Sequence, residues 1–284
     1  MKTRFAPSPT GLLHLGHVFA AYMAWSEARQ GGGRILLRME DIDATRCRRE
    51  FEDAIVADLR WLGFAWEEPV WRQSERMEAY AGALRQLDSM GLLYPCFCTR
   101  HELMAIDAPQ GPDGPLYQGN CRSLAPDQRH AFMAEGRPFA LRLDAAQAIR
   151  MAGPLTWQDL DRGPQMARPE LLGDAVLARK DIRTSYHLSV VTDDAAQEIS
   201  VVTRGNDLFA STHLHRLLQA LLGLPVPVWR HHRLVCDESG KRLAKRDGAR
   251  SVQTLRSAGH DAAAVLHMAG VPEGAPLPDS QSVT

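Results

Sequence analysis

The chain has 284 residues, 45% of them hydrophobic and 24% charged, with a formal net charge of −1. These figures exclude a disordered polymer and a generally basic nucleic-acid-coating chain, so any RNA contact must come from local patches. No run of about 18 apolar residues occurs, which excludes a conventional membrane-spanning helix, and Met1-Lys2-Thr3-Arg4-Phe5-Ala6-Pro7 lacks the basic-then-apolar pattern of a secretory signal.

In chain order, residues 2–6 alternate loosely and stop at Pro7-Ser8-Pro9-Thr10-Gly11, which reads as a first strand and a turn. Val18, Phe19, Tyr22, Met23 and Trp25 recur at helical spacing as far as Gly31-Gly32-Gly33. Ile35-Leu36-Leu37, ahead of Met39-Glu40-Asp41, has the composition of a buried parallel strand. Strand, loop, helix, glycine break and strand predict a βαβ unit that opens a doubly wound α/β sheet. Phe51, Ile55, Leu59 and Leu62 predict a helix within 46–62, and another is expected over 75–90. Residues 95–130 lose periodicity, carry three cysteines and read as an insertion. Strand character returns at 186–191 and 199–203, and a helix over 212–222 ends at Gly223. The Pro- and Ser-rich last ten or so residues read as a loose tail. The expected division is a first Rossmann half at 1–92, an insertion at 93–170, a second half at 171–235, a loop and short helical region at 236–274, and a tail at 275–284.

Two stretches have the composition of phosphate-handling motifs. Pro7-Ser8-Pro9-Thr10-Gly11-Leu12-Leu13-His14-Leu15-Gly16-His17 lies where the first strand gives way to the first helix, the ligand crevice of an open α/β sheet. Gly16 admits a base or ribose close to the backbone. His14 and His17, three apart, can share one side of the helix start and donate to phosphoryl oxygens. The alternative is a pair of ordinary surface or N-cap histidines. Far downstream, Asp237-Glu238-Ser239-Gly240-Lys241-Arg242-Leu243-Ala244-Lys245-Arg246-Asp247-Gly248 holds four cations within six residues. Such a loop can fold over a triphosphate and neutralise departing pyrophosphate; alone, it could equally be a solvated basic turn. Only four of the 33 basic residues are lysines, and two of the four stand at 241 and 245.

Together the stretches resemble the two signatures of class I aminoacyl-tRNA synthetases. His14-Leu15-Gly16-His17 is similar to the HIGH motif, and residues 242–246 to KMSKS in the KLSKR form of the glutamyl branch. Arg4 to Gly11, Arg38-Met39-Glu40-Asp41-Ile42-Asp43 and Val202-Thr203-Arg204-Gly205-Asn206-Asp207-Leu208 follow in family order, so the resemblance covers roughly residues 2–250. It implies a Rossmann-type α/β catalytic domain with a zinc-containing insertion and a short C-terminal stem-contact region. The loop departs from the pattern in two places: Arg242 replaces the first lysine and Ala244 the serine, while Lys245 is retained. Arg keeps the charge but presents a planar fork.

The resemblance further implies ATP, with Mg2+, as co-substrate, bound by His14, Gly16, His17, Arg242 and Lys245, with His14, His17 and Lys245 catalytic. It places glutamate against Arg4, Phe5, Ala6, Pro7 and Ser8, with Glu40 accepting from the α-ammonium and Tyr186 and Arg204 at the remaining positions. Read without the resemblance, Glu40, Asp41 and Asp43 are a solvent-facing strand end, and Tyr186 and Arg204 are ordinary packing and surface charge.

Cysteines number five, an odd count in a chain without an export signal, which favours reduced thiols in the cytoplasm. Cys96 and Cys98, two apart on an extended chain, can share one ion with Cys121. Tyr117, His101 or a water could be the fourth ligand. The resemblance favours Tyr117 and a structural zinc, one per chain. Cys47 and Cys236 read as unliganded.

About thirty-five residues follow the 242–246 loop, too few for an anticodon-reading helical domain. The pattern is therefore similar to the short paralogues of the glutamyl enzymes, which implies transfer of glutamate to queuosine in the anticodon stem-loop of tRNA(Asp); a monomer is expected, though the sequence carries no sign of oligomeric state. A truncated synthetase charging a tRNA 3′ end, an enzyme with a non-RNA acceptor, and a catalytically silent zinc-containing RNA-binding module are the alternatives.

Overall fold

The computed structural model describes residues 1–104, 108–112, 114–236 and 251–279. Strand β1 (Lys2–Phe5) leads through the proline turn to helix α1 (Leu15–Gln30), then to β2 (Arg34–Met39). The two strands are parallel, with Thr3 opposite Ile35. Helix α1 stops because Gly31 caps it, its N–H donating to the carbonyls of Glu27 and Arg29. Its buried residues, Val18, Phe19, Ala21, Tyr22, Ala24, Trp25 and Ala28, surround the axis because the helix is covered on both sides. Helix α2 (Arg49–Trp61) follows, then β3 (Glu67–Arg72), parallel to β2. Ile55, Leu59 and Leu62 of the predicted face are buried; Phe51 is half-buried.

After α3 (Met77–Ser89) comes the segment read as an insertion. It contains β4 (Leu93–Cys96), α4 (Arg100–Met104), the short pair β5 (Gln110–Gly111) and β6 (Gly114–Pro115), α5 (Pro126–Ala134), β7 (Ala140–Leu143), α6 (Ala145–Ala152), β8 (Thr156–Asp159) and β9 (Gly163–Met166). Strand β7 pairs antiparallel with β4 on one side and with β10 (Val176–Ala178) on the other. Then come α7 (Tyr186–Ala196), β11 (Val201–Gly205), α8 (Ser211–Leu222) and β12 (Val228–His232). Helices α9 (Val252–Ser257) and α10 (Ala262–Met268) close the described chain, with α10 on the face of α1.

Strands β11 and β12 are parallel, and β11 meets the edge of the first sheet at β1, where Ser200 N–H donates to the Lys2 carbonyl at 3.0 Å. The spatial sequence β3-β2-β1-β11-β12 is thus a doubly wound α/β arrangement. One core joins α1, α2, the first sheet and the two last helices. A second joins α3, α6, α7 and α8. Among the described residues no helix is long and apolar enough to cross a membrane.

The helix over 212–222 and its Gly223 cap are found, the glycine lying in the left-handed region at φ 67°. The strand expected at 186–191 is instead the start of α7. Ser185 caps that helix, its hydroxyl accepting from the Leu188 N–H, and α7 is packed against both α3 and α8. A helix buried on two sides carries no polar stripe, so its apolar run looks like that of a buried strand. Strands β3 and β12 carried no expectation. The first contains Pro69, and the second starts immediately after Pro225 and Pro227.

Candidate active site and cysteine centre

Beyond the carboxyl ends of the parallel strands lies a cavity of about 460 Å3, where open α/β sheets place their ligands. Phe5, Ala6, Pro7 and Ser8 enter it from the end of β1, Glu40 from the end of β2, Arg204 and Gly205 from β11, and His232 from β12. Arg4, His14, Gly16, His17 and Tyr186 complete the expected set, so every predicted glutamate- or ATP-binding residue within the described chain lines one cavity. Arg242 and Lys245 lie outside the described residues. The flanks of their loop do not: Val235 lines the cavity, and Ser251 forms a bridge with His14 while Val252 N–H donates to the Leu13 carbonyl at 2.9 Å.

His14 is the N-cap of α1. Its Nδ1 accepts from the Gly16 N–H at 3.1 Å, and His17 Nδ1 accepts from the His14 N–H at 3.2 Å. This is a reciprocal capping box made by two histidines. It fixes the tautomers: an accepting Nδ1 leaves the proton of a neutral ring on Nε2. The rings stack with centroids 3.7 Å apart. A Cβ on residue 16 would sit 3.0 Å from His14 Cε1, so the glycine lets the first ring fold back over the helix start. The cap and phosphate-donor readings of this pair are compatible, because each uses a different ring nitrogen.

The opposite wall is built from buried charges. Arg4 Nε donates to Asp194 Oδ1 at 3.0 Å and its NH1 to the Thr203 carbonyl at 3.0 Å. Arg38 donates to the same Asp194 oxygen at 2.7 Å and to Gln197. Burial raises the cost of ionising Asp194, but the two guanidiniums overcome it and hold its pKa below the ordinary value. Asp193 accepts from Gln73, Arg76 and Tyr80. Glu40 receives no hydrogen bond on its carboxylate from the described residues; burial pushes its pKa up to about 7, although Arg38 and Arg4 pull the other way.

Arg204 is 6% exposed. Its Nε donates to His231 Nε2 at 3.2 Å, and NH1 reaches His215 Nδ1 at 3.1 Å and the Tyr186 hydroxyl at 3.4 Å; Thr212 Oγ1 accepts from NH2. His231 Nδ1 lies 2.7 Å from Asp159 Oδ2. Burial, followed by the Arg204 charge, lowers the pKa of both His215 and His231, which keeps the rings neutral. Among the described residues no carboxylate forms an ion pair with Arg204, and burial lowers its pKa.

Sequence reasoning missed Arg38, Asp194, Thr212, His215 and His231. The only available signal was polar residues within apolar runs, namely Asp193-Asp194 after Val190-Val191 and His213 and His215 among leucines. Asp41 and Asp43 do not line the cavity. Asp41 accepts from Ser74, and Asp43 accepts from Thr45 and Arg46.

The sulfurs of Cys96, Cys98 and Cys121 lie within 4.8 Å of one another, those of Cys98 and Cys121 at 3.5 Å. A tetrahedron with Zn–S bonds of about 2.3 Å has sulfur edges of about 3.8 Å, so the donor set fits zinc. Tyr117 Oη is 3.6 Å from Cys98 Sγ and accepts from the Cys121 N–H at 2.7 Å. His101 is exposed and not among the clustered donors. Lys180 donates to the carbonyls of Phe97 and Cys98, both at 3.0 Å, pinning the cysteine loop to the segment that precedes α7.

Residues 1–271 match the family described as tRNA synthetases class I (E and Q), catalytic domain. The chain is similar to a glutamyl-Q tRNA(Asp) synthetase of Rhodobacter capsulatus, 48% identical over 95% of this chain and 100% of that protein. A glutamate–tRNA ligase of Synechococcus sp. is 39% identical over 96% of this chain and 60% of the ligase. The crystal structure of a glutamate tRNA ligase from Elizabethkingia meningosepticum, in complex with its amino acid, superposes with a TM-score of 0.73 at 30% identity. That match covers 87% of this chain and 52% of the solved one, so the chain spans about half the length of that ligase.

Proposed function

The chain belongs to the family of class I tRNA synthetases for glutamate and glutamine, and on that premise we propose that it activates glutamate with ATP and transfers it to queuosine at the wobble position of tRNA(Asp). Membership makes it a ligase-type enzyme of the aminoacyl-tRNA synthetase class. The observation that carries the chemistry is the single cavity that holds buried guanidiniums, a carboxylate and a histidine-capped helix N-terminus.

Glutamate brings two carboxylates and one ammonium. Arg4 and the Pro7-Ser8 turn, flanked by Phe5 and Ala6, hold a carboxylate end, Glu40 accepts from the ammonium, and Tyr186 and Arg204 complete the pocket. The α-carboxylate attacks the α-phosphorus of ATP, which is supplied with Mg2+, and pyrophosphate leaves. The His14 and His17 Nε2–H groups, beside Gly16, stabilise the charge that grows on the phosphoryl oxygens. Arg242 and Lys245 neutralise the leaving group; the position of Val235 in the cavity lining and of Ser251 against His14 supports that role for their loop. A queuosine hydroxyl then attacks the adenylate carbonyl and AMP departs.

Support for the acceptor is the 48% identity along the full length of a glutamyl-Q tRNA(Asp) synthetase, against 39% to the glutamate–tRNA ligase. Labelled glutamate and ATP should label queuosine-containing tRNA(Asp), and its isolated anticodon stem-loop with a blocked terminal diol, but not the queuosine-free form. Periodate treatment of the queuosine diol should abolish labelling. Label on the 3′-terminal adenosine of tRNA(Glu) would overturn the acceptor and leave an ordinary synthetase.

The same reading takes the chain as a cytoplasmic monomer with one structural zinc held by Cys96, Cys98 and Cys121, with Tyr117 as the fourth ligand. Held by these side chains, an ion would tie β4 to the loop at 117–121. Purified protein should carry near-stoichiometric zinc, and Cys98→Ser should lose it and melt at lower temperature. Wild-type protein free of zinc by metal analysis overturns the site.

A further inference from the structure

We propose that His215, His231 and Thr212 are positioning residues whose neutral acceptors hold Arg204 in place while withholding a countercharge, so that a substrate carboxylate supplies the missing anion. The inference deepens the glutamate reading and rests on it.

A buried guanidinium is normally paired with a carboxylate, because a lone charge in a low-dielectric setting is costly. The protein does so for Arg4 and Arg38, which share Asp194. At Arg204 it uses two imidazole nitrogens and two hydroxyls, those of Thr212 and Tyr186, instead. The nearest carboxylate in this chain of contacts, Asp159, is set one ring further back, behind His231. Because His231 Nε2 accepts from Arg204, its proton sits on Nδ1 and points to Asp159; the same logic places the proton of His215 on Nε2, facing His187 Nδ1 at 3.1 Å. Asp159 is fixed in turn by the N–H groups of Asp161 and Arg162. The tautomers are thus set from behind, and His215, His231 and Thr212 direct lone pairs at the cation. His215, His231, Thr212 and Asp159 are each at most 6% exposed, which keeps water from screening the arrangement. The cation is held rigidly and left electrostatically unsatisfied on the side that lines the cavity.

A carboxylate built into this frame should therefore compete with the substrate. Glutamate-dependent ATP–pyrophosphate exchange and thermal melting are measured for wild type, His215→Gln and His215→Glu. Gln retains an acceptor for Arg204 and a donor for His187, and should keep the glutamate KM within about threefold of wild type. Glu gives Arg204 an internal partner, and should raise the glutamate KM about ten- to hundredfold, the scale of one charge-assisted contact. The ATP KM should stay within about twofold, and the melting temperature should not fall. If the Glu variant does not fold, Thr212→Asp against Thr212→Asn reads the same contrast. A glutamate KM unchanged by the added carboxylate overturns the proposal, as do Gln and Glu variants equally impaired and equally destabilised, which would mark His215 as packing alone. Absence of glutamate-dependent exchange in the wild type would instead overturn the glutamate reading itself.

Discussion

At the start of α1 the side chains that face the cavity are held by their immediate neighbours, since His14 and His17 exchange cap bonds across three residues. On the opposite wall Arg204 depends on Thr212, eight residues away, and on His231, 27 away, while Arg4 reaches Asp194 over a separation of 190 residues. The first arrangement forms wherever this strand hands over to this helix. The second exists only once segments distant in the chain are brought together, and for Arg4 only when both halves of the sheet are assembled. On the proposed function, phosphate handling would be encoded in a four-residue motif, whereas amino-acid recognition would be inseparable from the global fold.

The contrast should be largest at Arg204. Arg204→Leu removes a buried cation from the long-range wall and should lower kcat/KM for glutamate in pyrophosphate exchange by about 10²–10³-fold. Retention of wild-type kcat/KM would mean that this wall does not bind the amino acid. At the local end, His17→Ala removes one Nε2 donor and half of the capping box. Turnover should fall about 10²-fold with little change in the glutamate KM, and loss of the cap should cost about 1 kcal/mol of stability. If the glutamate KM rises as much as turnover falls, the two ends are not separable in the way their geometry implies.

A smaller effect sharpens the same comparison through pH. The Glu40 carboxyl, pushed up to about 7 mainly by burial, is neutral below that pH and cannot attract an ammonium. Therefore kcat/KM for glutamate should climb roughly tenfold per unit below pH 7 and level off above it, and the step should vanish in the residual activity of Glu40→Gln. The sign for stability is opposite. A carboxyl whose folded pKa exceeds its unfolded value stabilises the folded chain while protonated, so the substrate-free protein loses that contribution as pH rises from about 4.3 through 7.

How far the site was legible follows the same division. The place of His14, Gly16 and His17 at a helix start could be read because their spacing is local, whereas Glu40, just past the end of β2, reads as a solvent-facing strand end until the resemblance is added. Cys96 and Cys98 announced themselves by spacing. Arg38 and Asp194 could not be read, since each is an ordinary charged residue until the other arrives from 156 positions away. His215 and His231 were hidden for a similar reason: a histidine among leucines says nothing of which nitrogen will face a guanidinium. The strand expected at 186–191 failed because α7 is buried on two sides and shows no amphipathic period. That misreading also concealed Asp193 and Asp194, which a helical reading would have placed side by side at the end of a buried helix.

Those two aspartates follow one another on α7 but serve different layers. Asp193 takes Gln73, Arg76 and Tyr80 from the side of α3, and Asp194 takes Arg4 and Arg38 from the first sheet. One helical turn therefore bolts together the wall of the cavity and the layer behind it. Local fraying of either layer would strand a charge in the interior, so the opening motions that admit solvent to β1, α3 and the last turn of α7 merge into one cooperative event. Amide hydrogen exchange would register these three segments, far apart in the chain, as a single slow unit.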